Sequence, residues 1–526
     1  VRLHETHLSW VLLAGDFAYK VKKPVALGFA DFSTRERRAA ACADEIRLNR
    51  RLCPNLYLDV VDLVARDDTF AVGGPGQLVE SAVRMRRLPD GGMLPALLAR
   101  GSVDERLIAR IARTLAQFHA AAATGPGVDE WGTAAAVRAN WAENFAQSDR
   151  FVGRSLAPAI LAVVRNYVGH YLDQHLALLN RRVAAGRVRD GHGDLHSGNI
   201  CVEGRRLHLF DCIEFSPRYR CADVAAEVAF LAMDLDRHGR ADLGATFADA
   251  YARMTGDEEL PDLLDFYKCY RAWVRGKVLS LRLDQPGLSP GDAAAVRAEA
   301  AGYFDLAWSY AGGLPQPTLL LVVGASATGK TSLARALAGR LGLIHLSSDL
   351  VRKELAGHRP TDRRRDSFGK GLYSAARTRR TYAALRRRAA HWLDRGRSVV
   401  LDATFGQAAE RAAIRRLAAR RGVRLIVLHC QADDATIRAR LAAREHDPLT
   451  ASDARLELWP ALRRAYTPPD EIPGVVAIDM TAPLDAALAR ALAAVGVPAV
   501  QSMVTDHPIA TYAPTPSAIA SVAPPA

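Results

Sequence analysis

The stretch "GASATGKT", Gly324–Thr331, constrains this chain more than any other. It satisfies GxxxxGK[ST], and it lies directly between the apolar run Thr318–Val323 and the helical pattern Ser332–Leu341. That pattern works only where a strand turns sharply into a helix. Glycine lets the backbone curl around an anion, while the first N–H groups of the helix and its positive end face that anion. The runs that follow, "LIHLSS", "SVVLDAT", "RLIVLHC" and "VVAID", are short, apolar and without strict alternation. Strands of that kind are buried on both faces, which predicts a parallel sheet with helices between its strands. In such a loop Gly324, Ala325, Ser326, Ala327, Thr328 and Gly329 would cradle phosphates. Lys330 would neutralise the β- and γ-phosphates, and Thr331 would hold Mg²⁺ through its hydroxyl.

The ends of the neighbouring strands supply further polar groups. In "SSDLVR", Asp349 and Arg352 are three apart and face one cleft if the segment is helical. A carboxylate and a guanidinium there suit a base for an acceptor hydroxyl and a clamp on substrate or phosphate; Asp349 also fits a plain helix N-cap. Asp402 closes the strand of "VVLDATF", where it could orient Mg²⁺ through water or simply end the strand. Arg440 and Arg444 are four apart ahead of "HDPLTASD", placed to close over ATP or to form a solvated basic face. Together "GASATGKT", "SSDLVR", "VVLDATF" and "RLAARE", over residues 317–495, resemble the P-loop kinase group that includes polynucleotide 5′-hydroxyl kinases, zeta toxins and chloramphenicol phosphotransferase. The resemblance implies that Asp349 acts on the acceptor hydroxyl and that Arg352 contacts substrate or phosphate.

At 526 residues the chain is too long for one core, so two or three domains are expected. "AGGLPQPT" (311–318) reads as a linker between two halves that do not resemble each other, and the Pro/Ala-rich stretch 497–526 reads as a disordered tail. No apolar run is long enough to span a bilayer, and the first residues lack a signal-peptide layout. Seven scattered cysteines read as reduced thiols, so a cytoplasmic place and no membrane partner are expected. The net charge of +13 suits anionic partners such as nucleotides, phosphorylated metabolites or RNA, although a base-composition bias would produce the same excess of arginine.

The first half opens with two expected strands, "ETHLSWVLLAG" and "DFAYKVKKP", then helices over Ser33–Arg51, Val103–Ala123 and Leu156–Ala184. Its densest polar stretch is "RDGHGDLHSGNI", 189–200. His192, Asp194 and His196 alternate like zinc ligands, but no HExxH or cysteine pair offers a distant fourth ligand. The alternative is a phosphotransferase loop. Asp194 and Asn199 have the five-residue spacing of HRDxxxxN, with His192 in the histidine place. Asp194 would then serve the acceptor hydroxyl, and Asn199 would hold Mg²⁺. "RRLHLFDCIEF" supplies Asp211 as the second Mg²⁺ ligand, with Glu214 as a substitute. In "FAYK", Ala18 and Lys20 share a strand face as in VAIK, with Lys22 as runner-up, and Glu45 is the expected carboxylate partner.

"HGDLHSGN" with "LAQFHA", "VRMRRLP" and Asp223 resembles the aminoglycoside phosphotransferase and choline-kinase-like family over about residues 1–310. The whole chain is similar to bacterial bifunctional proteins that join such a domain to an ATP-binding kinase domain. The resemblance implies an α/β and α+β protein: a two-lobed, protein-kinase-like domain over 1–312, then a P-loop α/β domain over 317–496. It implies ATP and Mg²⁺ as cofactors and small-molecule hydroxyls as acceptors at two sites. Alternatively only the P-loop domain is catalytic, on a small molecule or a polynucleotide end, and the first binds nucleotide or substrate for it. One departure stands out: the glycine-rich strand–loop–strand expected over the ATP phosphates is missing or cut off ahead of "HETHLSW". The approach to the loop, "NRRVAAGRVRD", is basic, so a polycationic aminoglycoside is not the expected acceptor.

Overall fold

A computed structural model describes residues 2–500 apart from 7, 28–29, 67–68, 286, 316, 360–361, 363–365, 368 and 445–451. The expected tail beyond 500 and most of "HDPLTASD" lie outside the described residues. The first layer is an antiparallel sheet in the order Arg2–Glu5, Ser9–Ala14, Phe17–Lys22, Gln77–Arg86, Tyr57–Arg66, Thr69–Val72. The helix Arg35–Asn49 packs on it, started by the Thr34 hydroxyl, which accepts from Arg37 N–H at 3.3 Å. A helical lobe follows, built on Glu105–Ala121, Val224–Arg237, Leu260–Leu281 and Pro290–Tyr310. Between the two lobes run the stretch 188–200 and the short hairpin Ile200–Glu203/Arg206–Leu209.

Three expectations need correction. The two strands expected in "ETHLSWVLLAG" and "DFAYKVKKP" are Ser9–Ala14 and Phe17–Lys22, but the first starts later than expected, where the Thr6 hydroxyl takes the Ser9 N–H at 2.9 Å, and a further strand, Arg2–Glu5, pairs with it. A strand–turn–strand therefore does stand ahead of Lys20, but its tip carries no glycine. The long helix Leu156–Ala184 is two, Pro158–Gln174 and Leu176–Ala184, because His175 leaves helical geometry (φ −110°) and stacks on Tyr171 at 4.0 Å. The strand of "RRLHLFDCIEF" ends at Leu209, since Asp211 turns left-handed (φ 68°) and cannot continue it.

The second half is a five-stranded parallel sheet in the order Ile344–Ser347, Val399–Asp402, Thr318–Val323, Arg424–Gln431, Val476–Asp479. Every residue of Thr318–Val323 is buried, as its lack of alternation requires. Because strand order reverses on either side of that strand, a crevice opens at its carboxyl end, where the loop Gly324–Gly329 sits. The two halves share one core: Leu235, Phe304 and Leu306 of the first pack in one cluster with Leu333, Leu337 and Leu341 of the second. Buried ion pairs line the same junction, Lys268–Asp236 at 2.8 Å and Arg340–Asp305 at 2.8 Å. Among the described residues no helix is long and apolar enough to cross a membrane.

Candidate active sites

In the first half Lys20 projects from its strand to the Glu45 carboxylate at 2.8 Å and also pairs with Asp211. Burial works against the lysine's charge, but Asp211 and Glu45 outweigh it and raise its pKa well above the ordinary value. Lys22 lies deeper, paired with Glu45 at 2.5 Å and with Glu214. Glu45 thus bridges two lysines, and against its burial their charges hold it at about 2. Asp211 reaches the cleft from its left-handed backbone because both peptide groups beside it are tied down. Its own N–H donates to the Tyr57 hydroxyl at 3.0 Å, and the Cys212 N–H donates to Asn49 Oδ1 at 2.8 Å. Asn49 lies one helical turn beyond Glu45 and donates back to the Glu45 carbonyl at 2.9 Å.

Asp194 keeps 38% of its side chain exposed at the cleft floor and Asp211 keeps 40%. Asn199 Nδ2 donates to the Asp194 carbonyl at 2.9 Å and to its carboxylate at 3.3 Å, leaving Asn199 Oδ1 for another partner. Burial alone would raise the Asp194 pKa, but the hydrogen bond and charge of His196, then Arg275 and His192, hold it below the usual carboxylate range. His192 Nε2 meets the Phe210 carbonyl at 2.9 Å, and its Nδ1 takes the Asp194 N–H at 3.3 Å. Both ring nitrogens are spent on backbone, so His192 has none left for the zinc alternative. Behind the loop stands Glu227, which sequence reasoning missed. It accepts the N–H groups of His192 and Gly193 on one oxygen and meets His119 Nε2 at 2.6 Å on the other. A Cβ at Gly191 would come within 2.5 Å of that carboxylate, which explains the glycine between Asp190 and His192. Asp223 is buried against Arg182 at 2.7 Å, away from the cleft.

In the second half one cavity gathers Ala325, Ser326, Ala327, Gly329, Lys330, Thr331, Asp349, Arg352, Asp402 and Arg444. Gly324 has φ 151° and packs so tightly that a Cβ would meet the Cys430 carbonyl at 2.5 Å. Thr328 turns its hydroxyl to the Ala325 carbonyl at 2.9 Å, and Lys330 Nζ reaches the same carbonyl at 2.6 Å. Asp402 ends its strand in register with Ser347 and Val322. Burial opposes its charge, but His345 at 3.5 Å, Lys330 and the Thr331 hydroxyl lower its pKa. Its Oδ2 is buried with no hydrogen-bond partner among the described residues. Asp349 is pushed up by burial and restrained by Arg352. Asp349 is not the N-cap of its helix; Ser347 holds that position. Arg352 lies over the Tyr373 ring at 4.6 Å and donates to the Leu372 carbonyl and the Thr378 hydroxyl, each at 3.1 Å.

Arg440 departs from expectation. Its guanidinium donates to the Thr328 carbonyl at 3.1 Å and the Met480 carbonyl at 2.6 Å, beneath the phosphate loop and outside the cavity wall. It braces the loop backbone and does not close over it; Arg444 alone of the pair reaches the cavity. Sequence reasoning also passed over Tyr373, Tyr382, Glu410 and Tyr466, which line the cavity from segments with no motif of their own. His345 had a legible signal, since it alternates with the core residues Ile344 and Leu346 in a strand leading to Asp349.

Residues 22–267 match a family model described as a phosphotransferase enzyme family, and residues 319–469 match one described as an AAA domain. Uncharacterized proteins of Mycobacterium bovis and Mycobacterium tuberculosis are 35% identical to this chain over 464 residues, covering 88% of it and 89% of their own length. A gluconokinase structure from Sinorhizobium meliloti 1021 is 20% identical, covering 34% of this chain and 91% of that one, with a TM-score of 0.26. The Mycobacterium tuberculosis APS kinase CysC, solved with AMPPNP and APS, is also 20% identical, covering 34% of this chain and 98% of its own, with a TM-score of 0.24.

Proposed function

We propose that this chain, which belongs to the family of these mycobacterial proteins and joins a phosphotransferase-family half to a P-loop kinase-like half, carries two sites, each transferring the γ-phosphate of ATP to a hydroxyl of a small molecule. The first site belongs to residues 1–312 and the second to 317–496. The observation that carries the reading is the meeting of Lys20, Glu45, Asp194, Asn199 and Asp211 from four separate segments in one cleft.

In the first site Lys20, steadied by Glu45, neutralises the α- and β-phosphates. Asp194 takes the proton of the acceptor hydroxyl as its oxygen bonds the γ-phosphorus and the bridging oxygen leaves with ADP. In the second site the loop N–H groups and Lys330 hold the phosphates, Asp349 faces the acceptor and Arg352 and Arg444 offset charge on the transferring group. The donor sets suit Mg²⁺: hard oxygens of Asn199 and Asp211 in one, and in the other the Thr331 hydroxyl beside the buried Asp402 carboxylate, whose Oδ2 has only His345 at 3.5 Å near it. Bound there, Mg²⁺ would supply charge neutralisation between the β- and γ-phosphates.

A second reading keeps chemistry in the P-loop half alone. What favours it is the glycine-free tip of the hairpin ahead of Lys20. Asp194→Asn, Lys330→Ala and the double variant, incubated with ATP and a metabolite extract and read by mass spectrometry, separate the two. Two sites predict that each single variant loses a different phosphorylated product and the double variant loses both. An Asp194→Asn protein that keeps every product establishes the second reading. Two single variants that both behave as wild type defeat the kinase assignment of these residues.

A further inference from the structure

Two cations near the first site make no close ion pair among the described residues. On the helix Leu260–Leu281, Arg271 donates to the Gly193 carbonyl at 3.1 Å, beside Asp194. Arg275 lies one turn further on the same face and is among the charges that hold Asp194 ionised. Its guanidinium carbon is 5.7 Å from the centre of the Tyr303 ring, and that of Arg237, from the helix Val224–Arg237, is 5.3 Å from the same ring.

Neither guanidinium has a carboxylate within ion-pair distance among the described residues: Arg275 hydrogen-bonds Tyr303 and feels Asp194 and Asp234 from further off, and Arg237 feels Asp305 in the same way. Asp305 is held by Arg340 at 2.8 Å, Asp236 by Lys268 at 2.8 Å, and Asp234 accepts the Ser197 N–H at 2.8 Å. Arg237 Nε is buried with no hydrogen-bond partner among the described residues. Gly302 makes room for the cluster, since a Cβ there would meet Arg237 Nη2 at 3.2 Å. The attraction of a tyrosine ring for a cation is smaller than the cost of stripping water from an unpaired guanidinium, so packing on Tyr303 does not account for the pair. A general basic field does not account for it either. Residues 1–316 carry 39 Lys+Arg against 39 Asp+Glu, whereas 317–496 carry 31 against 17. Two unpaired cations in a locally neutral half, next to an acceptor-side carboxylate, form a site for an anion.

We propose that the first site phosphorylates an anionic hydroxyl compound, one bearing a phosphate or carboxylate group that Arg275 and Arg237 bind beside Tyr303 while its hydroxyl faces Asp194. This rests on the phosphotransferase reading of Asp194 and adds the class of its acceptor. A cationic acceptor would be repelled by the same two side chains.

The full-length protein, with both nucleotide sites saturated by Mg²⁺ and AMPPNP, is titrated calorimetrically with glycerol 3-phosphate, glycerate, glycerol and choline. At least one of the two anions is expected to bind, and which one does separates phosphate from carboxylate recognition; glycerol and choline at equal concentration are not expected to bind. Arg275→Gln and, independently, Arg237→Gln should weaken the anion by about tenfold or more, with Arg275→Lys retaining part of the affinity. Unchanged AMPPNP affinity checks that each variant is folded. No anion binding by wild type up to about 10 mM overturns the proposal. So does equal binding by both Gln variants, or equal binding of glycerol or choline. Product formation in Asp194→Asn is read separately. If it persists, the phosphotransferase reading of the first site fails; if it vanishes and the product came from a neutral or cationic acceptor, only the present proposal fails.

Discussion

Glu227→Gln tests whether the loop that carries Asp194 is held from behind by a charge. The buried Glu227 carboxylate receives two backbone N–H groups, of His192 and Gly193, and faces His119, whose Nδ1 meets the Tyr251 hydroxyl at 2.7 Å. Burial would raise its pKa from the ordinary 4.5; the His119 bond, the neighbouring histidines and the Gly193 N–H overcome burial and hold it at about 2. At about 1.4 kcal/mol per pH unit, that depression is worth about 3 kcal/mol of folding stability at neutral pH. Because the folded value lies below the unfolded one, the contribution is complete above pH 4.5 and fades as pH falls toward 2.

Glutamine keeps the shape and still accepts both backbone N–H groups. Its amide must donate to His119 Nε2, which requires the tautomer with the proton on Nδ1 facing Tyr251. The variant therefore exchanges charge-assisted bonds for neutral ones and loses about 1–3 kcal/mol at pH 7. Amide exchange across residues 188–200, followed by mass spectrometry from pH 3 to pH 8, reads the local opening free energy. The expected gap between wild type and E227Q is largest at neutral pH and closes on acidification below pH 5. A gap that stays constant, or widens toward pH 3, refutes the reasoning. So does an unchanged opening free energy at pH 7.

The two lysines of the first cleft should separate cleanly. Lys22→Met leaves Glu45 to Lys20 but strands Glu214 in the interior and should cost about 3–5 kcal/mol by urea denaturation, whereas Lys20→Met leaves both glutamates paired with Lys22 and should lose turnover with a smaller stability change. Arg440→Ala frees two loop carbonyls and should weaken ATP binding at the Lys330 site about tenfold in a fluorescence titration, with the acceptor KM unchanged. Gly339 lies inside a helix, where alanine ordinarily gains about 1 kcal/mol. Here a Cβ would meet the Arg237 carbonyl at 2.5 Å, so Gly339→Ala should lower Tm. Kanamycin should show no Asp194-dependent phosphorylation by mass spectrometry.

What was legible in the sequence follows from where the chemistry is local. "GASATGKT" and "HGDLHSGN" each place their polar groups within one turn of chain, so spacing alone named Lys330, Thr331, Asp194 and Asn199 as candidates. Lys20, Glu45 and Asp211 came from order along a strand and a helix, a weaker signal that the alternation of one face sustains. Glu227 and Arg275 left no such trace. Each sits among apolar neighbours, Glu227 in the first turn of its helix and Arg275 well inside its own, and its role depends on which loop the helix happens to pack against. Arg440 shows the converse. Its four-residue spacing to Arg444 is real, but helical periodicity cannot tell the face over the phosphate loop from the face beneath it.

The junction was the least legible feature, and it bears most on how the two sites relate. A Gly/Pro-rich stretch such as 311–317 ordinarily marks halves that move independently. Here the helix Val224–Arg237 serves both: Glu227 and Asp234 grip the Asp194 loop, and within a turn of Asp234 its last carbonyl abuts Gly339 of the helix that begins at Lys330. Leu235 joins the same apolar cluster as Leu333 and Leu337, so separating the halves would expose core from both. Ion pairs also cross the seam, Arg340 with Asp305 at 2.8 Å and Arg397 with Asp265 at 3.4 Å and with the buried Asp236 at 4.0 Å, and separation of the halves would break them. Hydrophobic area and charge pairing both oppose independent motion. One helix thus carries both the carboxylates that hold the Asp194 loop and the carbonyl packed against the helix that begins at Lys330, so the two sites are joined by packed structure and not only by the chain at 311–317.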